Sequence, residues 1–197
     1  MNEAKLDGKN CVITGATGGI GKKISEILAS NGCNLFLIST NEKKLSELRL
    51  QIENSSNVKI HTFATDLSIL ENLKNTISEV RNFFEKVDIL INSAGIFNVD
   101  PLLNSTIEKF EKNFNLNVRA PFYLARIFSQ DMVQQKWGRI VNLGSSSTRT
   151  DMGKISSDQN FETFLDPSDV AESIKFVISF DENLVIDEIR LNRMKIE

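Results

Sequence analysis

The sequence predicts an α/β protein: a single doubly wound parallel sheet of about six strands, with helices on both faces. Three observations support this fold class. Short apolar segments alternate with longer amphipathic segments along the chain. The apolar segments are continuous hydrophobic runs, which is typical of parallel strands buried on both faces. A glycine-rich turn joins the first apolar segment to the first amphipathic one. A chain of 197 residues is long enough for one domain with a full core.

The boundaries of the elements follow from these patterns. Strands are predicted at residues 10–14, 34–38, 58–64, 88–92, 139–143 and 184–191, and helices at residues 20–30, 42–53, 68–84, 106–135 and 167–180. Ser68 with Glu71, and Ser105 with Glu108, have the spacing of a capping box at a helix start. Asp166 precedes a proline at the first position of the last helix. We expect right-handed crossovers between the strands.

Residues 144–166 interrupt the alternation of strands and helices. They contain few strongly apolar positions and show no clear period, so an irregular loop region is predicted there. A loop of this length in a compact domain is usually functional or disordered.

The composition argues against several classes of partner. Lys and Arg total 23 against 26 Asp and Glu, with no basic block, so a nucleic acid is not expected. No apolar run approaches the roughly 18 residues of a membrane helix, and the first ten residues do not resemble a signal peptide. Cys11 and Cys33 fall at predicted strand starts and are expected to be buried, reduced thiols. We therefore expect a cytoplasmic protein that binds neither membrane nor metal.

The glycine-rich turn indicates the class of ligand. Gly15, Gly19 and Gly21 follow the first strand and open a helix, which lets the backbone turn tightly and approach a pyrophosphate. The helix directs its unpaired N–H groups toward that charge. Thr17 and Ile20, in the same turn, are assigned to the same site, and residues 1–197 are expected to form one dinucleotide-binding domain.

Three further strand ends complete the predicted cofactor site. Open α/β sheets bind ligands at the carboxyl ends of their strands, where small and polar side chains leave room for a nucleotide. The candidates at these ends are Ser39, Thr40, Asp66, Leu67, Asn92, Ala94 and Gly95. Asp66 is placed to contact an adenine edge, or alternatively only caps the helix that follows. Asn92 either faces the cofactor or satisfies neighbouring backbone groups.

The end of the second strand favours NADP(H) over NAD(H). NAD-binding sites usually place Asp or Glu there to hold the ribose hydroxyls. Ser39 and Thr40 carry no negative charge that would repel a 2′-phosphate, and Lys43 and Lys44 follow closely.

Several ordered segments also carry a resemblance to a known family. They are residues 14–21, 66–67, 92–95, 117–122, 138–145, 148–152 and 166–171. These segments resemble the short-chain dehydrogenase/reductase family, particularly members similar to 3-oxoacyl-carrier-protein reductases. The resemblance implies a Rossmann-like fold and hydride transfer between a nicotinamide and a small carbonyl or alcohol substrate.

The resemblance also implies an incomplete catalytic set. By position, Ser145 matches the serine that orients the substrate oxygen, and Asn117 matches the asparagine that supports a proton relay. The family's Tyr-x-x-x-Lys helix and its following strand are missing, and the only tyrosine, Tyr123, lies in the helix that carries Asn117. A positioned general acid contributes about 10²–10⁴-fold to a rate. Activity is therefore expected to be impaired or absent.

Three interpretations stay open. The chain is an NAD(P)(H)-dependent oxidoreductase with impaired activity, a non-catalytic dinucleotide-binding protein such as a redox-responsive regulator or inactive partner subunit, or an internally shortened form of a longer active enzyme. The family's assembly implies a homo-oligomer through the helix at residues 106–135. The strand at 184–191 is expected to pair beside the strand at 139–143, in the place of the missing strand.

Overall fold

A computed structural model describes residues 6–98, 100–144, 148–155, 161–180 and 188–191 of the protein. Its strands are β1 (Asn10–Thr14), β2 (Asn34–Ser39), β3 (Ile60–Ala64), β4 (Ile89–Asn92) and β5 (Arg139–Asn142). All pairings are parallel, and the order across the sheet is β3-β2-β1-β4-β5. The chain winds outward from β1 in both directions, which confirms the predicted doubly wound fold.

The helices cover both faces of this sheet. They are α1 (Gly19–Ser30), α2 (Glu42–Glu53), α3 (Leu70–Phe83), α4 (Ile107–Phe114), α5 (Ala120–Gln134) and α6 (Pro167–Ile178). Single 3₁₀ turns lie at Leu102–Asn104, Gly153–Ile155 and Phe161–Thr163. No helix in the described part of the chain is long and apolar enough to cross a membrane.

Alternate residues of each strand enter two separate cores. Ile13 and Leu37 pack with α1, α2 and α6 on one face. Val12 and Phe36, a register pair, pack with α3 and α5 on the other. All four side chains are fully buried. Each contributes roughly 1.5–3 kcal/mol relative to exposure. The continuous apolar runs of the sequence are explained by this burial on both faces.

Two helix starts differ from the prediction by one or two residues. The helix predicted from Ser68 begins at Leu70, with Ile69 as a cap residue that makes no side-chain hydrogen bond. The N-cap of α4 is Thr106 rather than Ser105, and its hydroxyl accepts from the Lys109 N–H at 3.3 Å. Both capping-box predictions were therefore wrong, because α3 begins two residues after Ser68 and the neighbouring Thr106 caps α4.

The last helix begins as predicted. The Asp166 carboxylate accepts from the Ser168 N–H at 2.8 Å, and a proline occupies the first helical position. Hydrogen bonds from Ser168 lower the pKa of Asp166, and the Arg149 charge acts in the same direction.

The helix predicted over residues 106–135 is not continuous. A π-helical turn, Asn115–Arg119, separates α4 from α5. Such turns insert an extra residue and often occur at functional sites.

The described residues form five strands rather than about six. Of the strand predicted at 184–191, residues 184–187 lie outside the described residues, and residues 188–191 are not in a strand. The predicted loop at 144–166 is described in part. Thr148 forms a parallel bridge with Leu165 there, so its two ends are joined.

Both cysteines are buried and unpaired, as predicted. Burial, together with the negative charges of Asp88 and Asp7, raises the pKa of the Cys33 thiol to about 12. Neither thiol is therefore reactive at neutral pH.

Candidate functional site

A cleft of about 1190 Å³ opens at the carboxyl ends of the strands. This volume exceeds the roughly 300–1,000 Å³ of a typical small-molecule site. Most of the predicted cofactor residues line it, together with one predicted catalytic residue: Thr17, Gly19, Ile20, Gly21, Ser39, Thr40, Asn92, Ala94, Gly95 and Asn117. Gly15, Asp66 and Leu67 are not among the lining residues, and Ser145 lies outside the described residues.

The glycine turn forms the floor of this cleft by backbone contact alone. Gly15 has φ +67°, and a Cβ added there would lie 2.7 Å from the Ala94 nitrogen. A Cβ on Gly21 would lie 2.2 Å from the Gly15 carbonyl oxygen. Only glycine fits at both positions. The backbone of the turn packs directly against the backbone of the loop after β4 and of the start of α1, so no space is left for a Cβ. This cradle fits a pyrophosphate at the start of α1.

The end of β2 holds hydroxyl groups and one ammonium group. The Ser39 and Thr17 hydroxyls are hydrogen-bonded to each other across the turn. Asn41 caps α2 by accepting from the Lys44 N–H at 2.9 Å, and Lys44 lines the cleft. Lys43 is exposed and is not among the residues that line the cleft. This end of the cleft therefore carries positive charge at a helix N-terminus, which suits an anionic ligand group.

Asp66 is held in a tight turn after β3. Its carboxylate Oδ1 accepts from the Ser68 N–H at 2.9 Å, and its carbonyl accepts from the Asn72 side chain at 3.0 Å. Partial burial alone would raise the pKa of Asp66, but hydrogen bonds from Ser68 and the charge of Lys112 together lower it. Asp66 thus closes the turn before α3 but does not cap the helix, whose N-cap is Ile69. The ionised carboxylate retains further acceptor capacity. Leu67 is buried in the core beneath it.

The loop after β4 is fixed by side chains from neighbouring strands. Thr14 accepts from the Ser93 and Ala94 N–H groups at 3.2 and 3.1 Å. Asn92 donates to the Asn142 side chain at 2.8 Å, and its own oxygen is buried without a partner. Because that oxygen belongs to a cleft-lining residue, it is an acceptor that a ligand donor in the cleft could satisfy.

Asn117 lies in the π-turn and holds the next part of this loop. Its side-chain oxygen accepts from the Ile96 N–H, and its side-chain nitrogen donates to the Ile96 carbonyl, both at 2.9 Å. The π-turn places this amide against the loop instead of continuing the helical phase of α4.

One wall of the cleft comes from the region predicted as loop. Thr148, Thr150, Met152 and neighbouring residues line it. A Cβ on Gly19 would lie 2.6 Å from the Thr150 methyl group, so this segment rests directly on the glycine turn. Sequence reasoning gave it no cofactor role, although residues 148–152 matched the family's segment after the sixth strand.

No cluster of three or more metal-ligating side chains occurs in the ranges that the structure describes. The lysine available to the cleft within these ranges is Lys44, at the end near β2.

A family model for short chain dehydrogenases matches residues 9–157. The chain belongs to the short-chain dehydrogenase/reductase family. A 3-oxoacyl-(acyl-carrier-protein) reductase from Aquifex aeolicus is 33% identical over 143 residues, which is 73% of this chain and 58% of the relative. An NAD-dependent glycerol dehydrogenase from Listeria innocua is 29% identical over 140 residues, 71% of this chain and 54% of the relative. The chain thus spans little more than half the length of these curated short-chain dehydrogenases.

Solved structures confirm the family's fold. A metagenomic short-chain oxidoreductase in complex with NADP superimposes with a TM-score of 0.81 at 21% identity, covering 98% of this chain and 100% of that one. L-Sorbose reductase from Gluconobacter frateurii, complexed with NADPH and L-sorbose, gives a TM-score of 0.79 at 20% identity, covering 91% and 92%.

The tyrosine of this chain lies on α5, away from the described lining of the cleft. Tyr123, the only tyrosine in the sequence, packs against the core formed by α3, α5 and the sheet, and does not line the cleft. Its neighbour Phe122 does line the cleft.

Proposed function

We propose that this protein binds NADP(H) in the cleft and is an oxidoreductase whose hydride transfer is impaired. The observation that carries the binding proposal is the glycine cradle, in which Gly15 and Gly21 meet neighbouring backbone so closely that no side chain fits. A bound nicotinamide would supply or accept hydride from a carbonyl or alcohol carbon. The glycine turn would hold the pyrophosphate, and residues 93–95 would border the nicotinamide end.

The preference for NADP(H) over NAD(H) rests on the end of β2. Ser39 and Thr40 present hydroxyls, and Lys44 lines the same end of the cleft. A 2′-phosphate there would meet positive charge and the N-terminus of α2. An Asp or Glu, the residue that usually selects NAD, is absent from this position.

Impaired turnover follows from the groups that border the nicotinamide end. The reaction builds negative charge on the carbonyl oxygen, and a donor must meet it there. Asn117 is engaged with Ile96, and Tyr123 is partly buried and packs against the core. Among the residues matched to the family's catalytic positions, this leaves Ser145 to orient the substrate oxygen. Loss of a general acid corresponds to roughly 3–5 kcal/mol of barrier.

The second candidate is a non-catalytic dinucleotide-binding protein, a redox-responsive regulator or inactive partner subunit. The position of Tyr123 against the core favours it, since no second tyrosine exists in the sequence.

Calorimetric titration with NADPH and NADH tests the binding proposal, and NADPH oxidation over a panel of aldehydes and ketones tests turnover. We expect NADPH to bind more tightly than NADH. Turnover that exceeds the Ser145→Ala rate would support the oxidoreductase and exclude the non-catalytic candidate. Failure to bind either dinucleotide would refute both.

We also propose a homo-oligomer through the long helical segment. Its exposed apolar side chains recur three or four residues apart: Ile107, Phe110, Phe114, Val118 and Phe122. Val118 and Phe122 also line the cleft, so the proposed contact rests on Ile107, Phe110 and Phe114. Contiguous exposed apolar surface of this kind marks a contact site. Sedimentation of the protein and of Phe110→Ser should show a dimer that the substitution weakens. A monomeric wild-type protein would refute it.

A cytoplasmic location completes the proposal. Its support is the pair of free, buried cysteines and the nearly balanced charge.

A further inference from the structure

Arg119 joins two parts of the molecule. In the proposed complex, one part would contact the nicotinamide end of the dinucleotide and the other its adenine end. It is the last residue of the π-turn, and its guanidinium donates to the Ser68 carbonyl at 2.5 Å. Ser68 is 9% exposed and directly follows the Asp66-Leu67 turn. Arg119 therefore links the helical segment that holds the loop after β4 to the turn after β3.

The π-turn makes this double contact possible. Asn117 and Arg119 are two residues apart, so their side chains leave the helix on nearly opposite sides. Asn117 reaches Ile96 on one side, and Arg119 reaches Ser68 on the other. One short turn thus fixes the backbone at both the nicotinamide end and the adenine end of the proposed site.

The turn after β3 depends on this support. Asp66 accepts from the Ser68 N–H, Asn72 donates to the Asp66 carbonyl, and Arg119 donates to the Ser68 carbonyl. The first two contacts lie within one stretch of chain. The third comes from 51 residues away, and together with the Thr65 N–H that donates to the Ser39 carbonyl it ties the turn to the rest of the cleft.

We infer that Arg119 is a positioning residue, which holds the Asp66 carboxylate in place to accept from the 6-amino group of adenine. The inference rests on the proposed function and names a determinant of base recognition within it. A guanidinium suits this task because its planar donors lose little freedom when they bond to a fixed carbonyl.

Arg81 provides a matched control. It pairs with Asp131, which joins α3 and α5 at the ends of these helices away from the cleft. Arg119 and Arg81 therefore fasten the same pair of helices at opposite ends. Removing either costs stability, but only Arg119 lies next to the proposed adenine turn.

The test compares NADPH with its hypoxanthine analogue, which lacks the 6-amino donor. Dissociation constants are measured by calorimetry for the wild type, Arg119→Ala, Arg119→Lys and Arg81→Ala. We expect the wild type to prefer NADPH by about tenfold, as for one hydrogen bond to a charged group. Arg119→Ala should reduce that preference to about twofold, Arg119→Lys should restore most of it, and Arg81→Ala should leave it unchanged.

Each outcome bears on the inference. An unchanged preference in Arg119→Ala, or an equal loss in Arg81→Ala, would overturn it while leaving the proposed function intact. If Arg119→Ala does not fold, Arg119→Met takes its place, because it keeps the aliphatic stem and lacks the donor; a preference in Arg119→Met equal to that of Arg81→Ala would overturn the inference. A wild-type protein that binds neither dinucleotide would overturn the proposed function and this inference with it.

Discussion

The cleft has two halves, named here for the groups that we propose bind there, adenosine and nicotinamide, and the two halves differ in what builds them. The adenosine half, between β1, β2 and β3, consists of backbone turns fixed by short hydrogen bonds and close glycine contacts. The nicotinamide half is bordered by side chains that remain open to solvent. Phe97 is 47% exposed, Phe122 is 67% exposed and Met152 is 46% exposed. The first half is formed by local backbone structure, whereas these described side chains leave the second half open to solvent.

This difference separates binding from catalysis within one fold. Pyrophosphate and ribose are held by strand ends and a helix N-terminus, which any chain with this sheet order supplies. Proton transfer requires particular side chains at particular positions. A chain can therefore keep the first property while the second is impaired.

The largest effect is expected from a substitution in the glycine turn, which forms the floor of the adenosine half. Gly15→Ala combines a positive φ with a Cβ 2.7 Å from the Ala94 nitrogen. We expect a loss of about 2–4 kcal/mol in the free energy of unfolding and loss of measurable NADPH binding. Urea denaturation and calorimetry measure both.

Gly8→Ala is the control, since Gly8 has φ +75° with open space around its Cα. It should cost only about 1 kcal/mol and leave binding intact. Equal effects at the two positions would mean that the contact with the loop after β4 is unimportant.

Lys44→Ala should weaken binding at the ribose end of the adenosine half while leaving the glycine turn unchanged. Lys44 lines the cleft, whereas the adjacent Lys43 is exposed outside it. We expect NADPH affinity to fall about fivefold and NADH affinity to stay constant, with the NADPH effect shrinking at high salt because the contact is exposed. Lys43→Ala should change neither affinity. A matching loss for NADH would argue against a 2′-phosphate contact.

Asn117→Ala should affect the nicotinamide half alone. It removes two hydrogen bonds to Ile96, each worth about 1 kcal/mol at most in an exposed setting. NADPH affinity should fall about threefold, and affinity for 2′-AMP, which reaches only the adenosine half, should not change. Asn113→Ala is the control, because Asn113 donates only to Lys109 within its own helix. If 2′-AMP binding weakened as well, the two halves would be coupled rather than separate.

The smallest effect concerns the acid stability of the adenosine half. The pKa of Asp66 is lowered in the folded protein, so its carboxylate stabilises the fold above its unfolded pKa of about 3.9 and loses this contribution as pH falls through the folded value. Asp66→Asn should abolish that part of the pH dependence. The change in the free energy of unfolding should be less than about 1 kcal/mol, because the carboxylate is largely solvated. Urea denaturation between pH 6 and pH 3 measures it, with the exposed Asp151→Asn as control. Parallel curves for wild type and Asp66→Asn would contradict the assignment.

Much of the fold could be predicted because its signals are local. Continuous apolar runs placed β1 to β5 within two residues of their observed ends, and Asp166 before Pro167 marked the start of α6. Helix starts at Ser68 and Ser105 were misplaced since several neighbouring residues can cap a helix equally well. The π-turn at Asn115–Arg119 was missed because its sequence is compatible with a continuous helix.

The sequence by itself determined the sheet, the glycine turn and the polar strand ends, since hydrophobic periodicity and the conformational freedom of glycine are properties of short segments. Only the tertiary structure decided which side chains from distant segments meet. It placed Thr150 on Gly19, Tyr123 against the core and Arg119 against the Ser68 carbonyl. Those contacts join residues 50 or more positions apart or depend on which way a helix faces, and no local pattern encodes either.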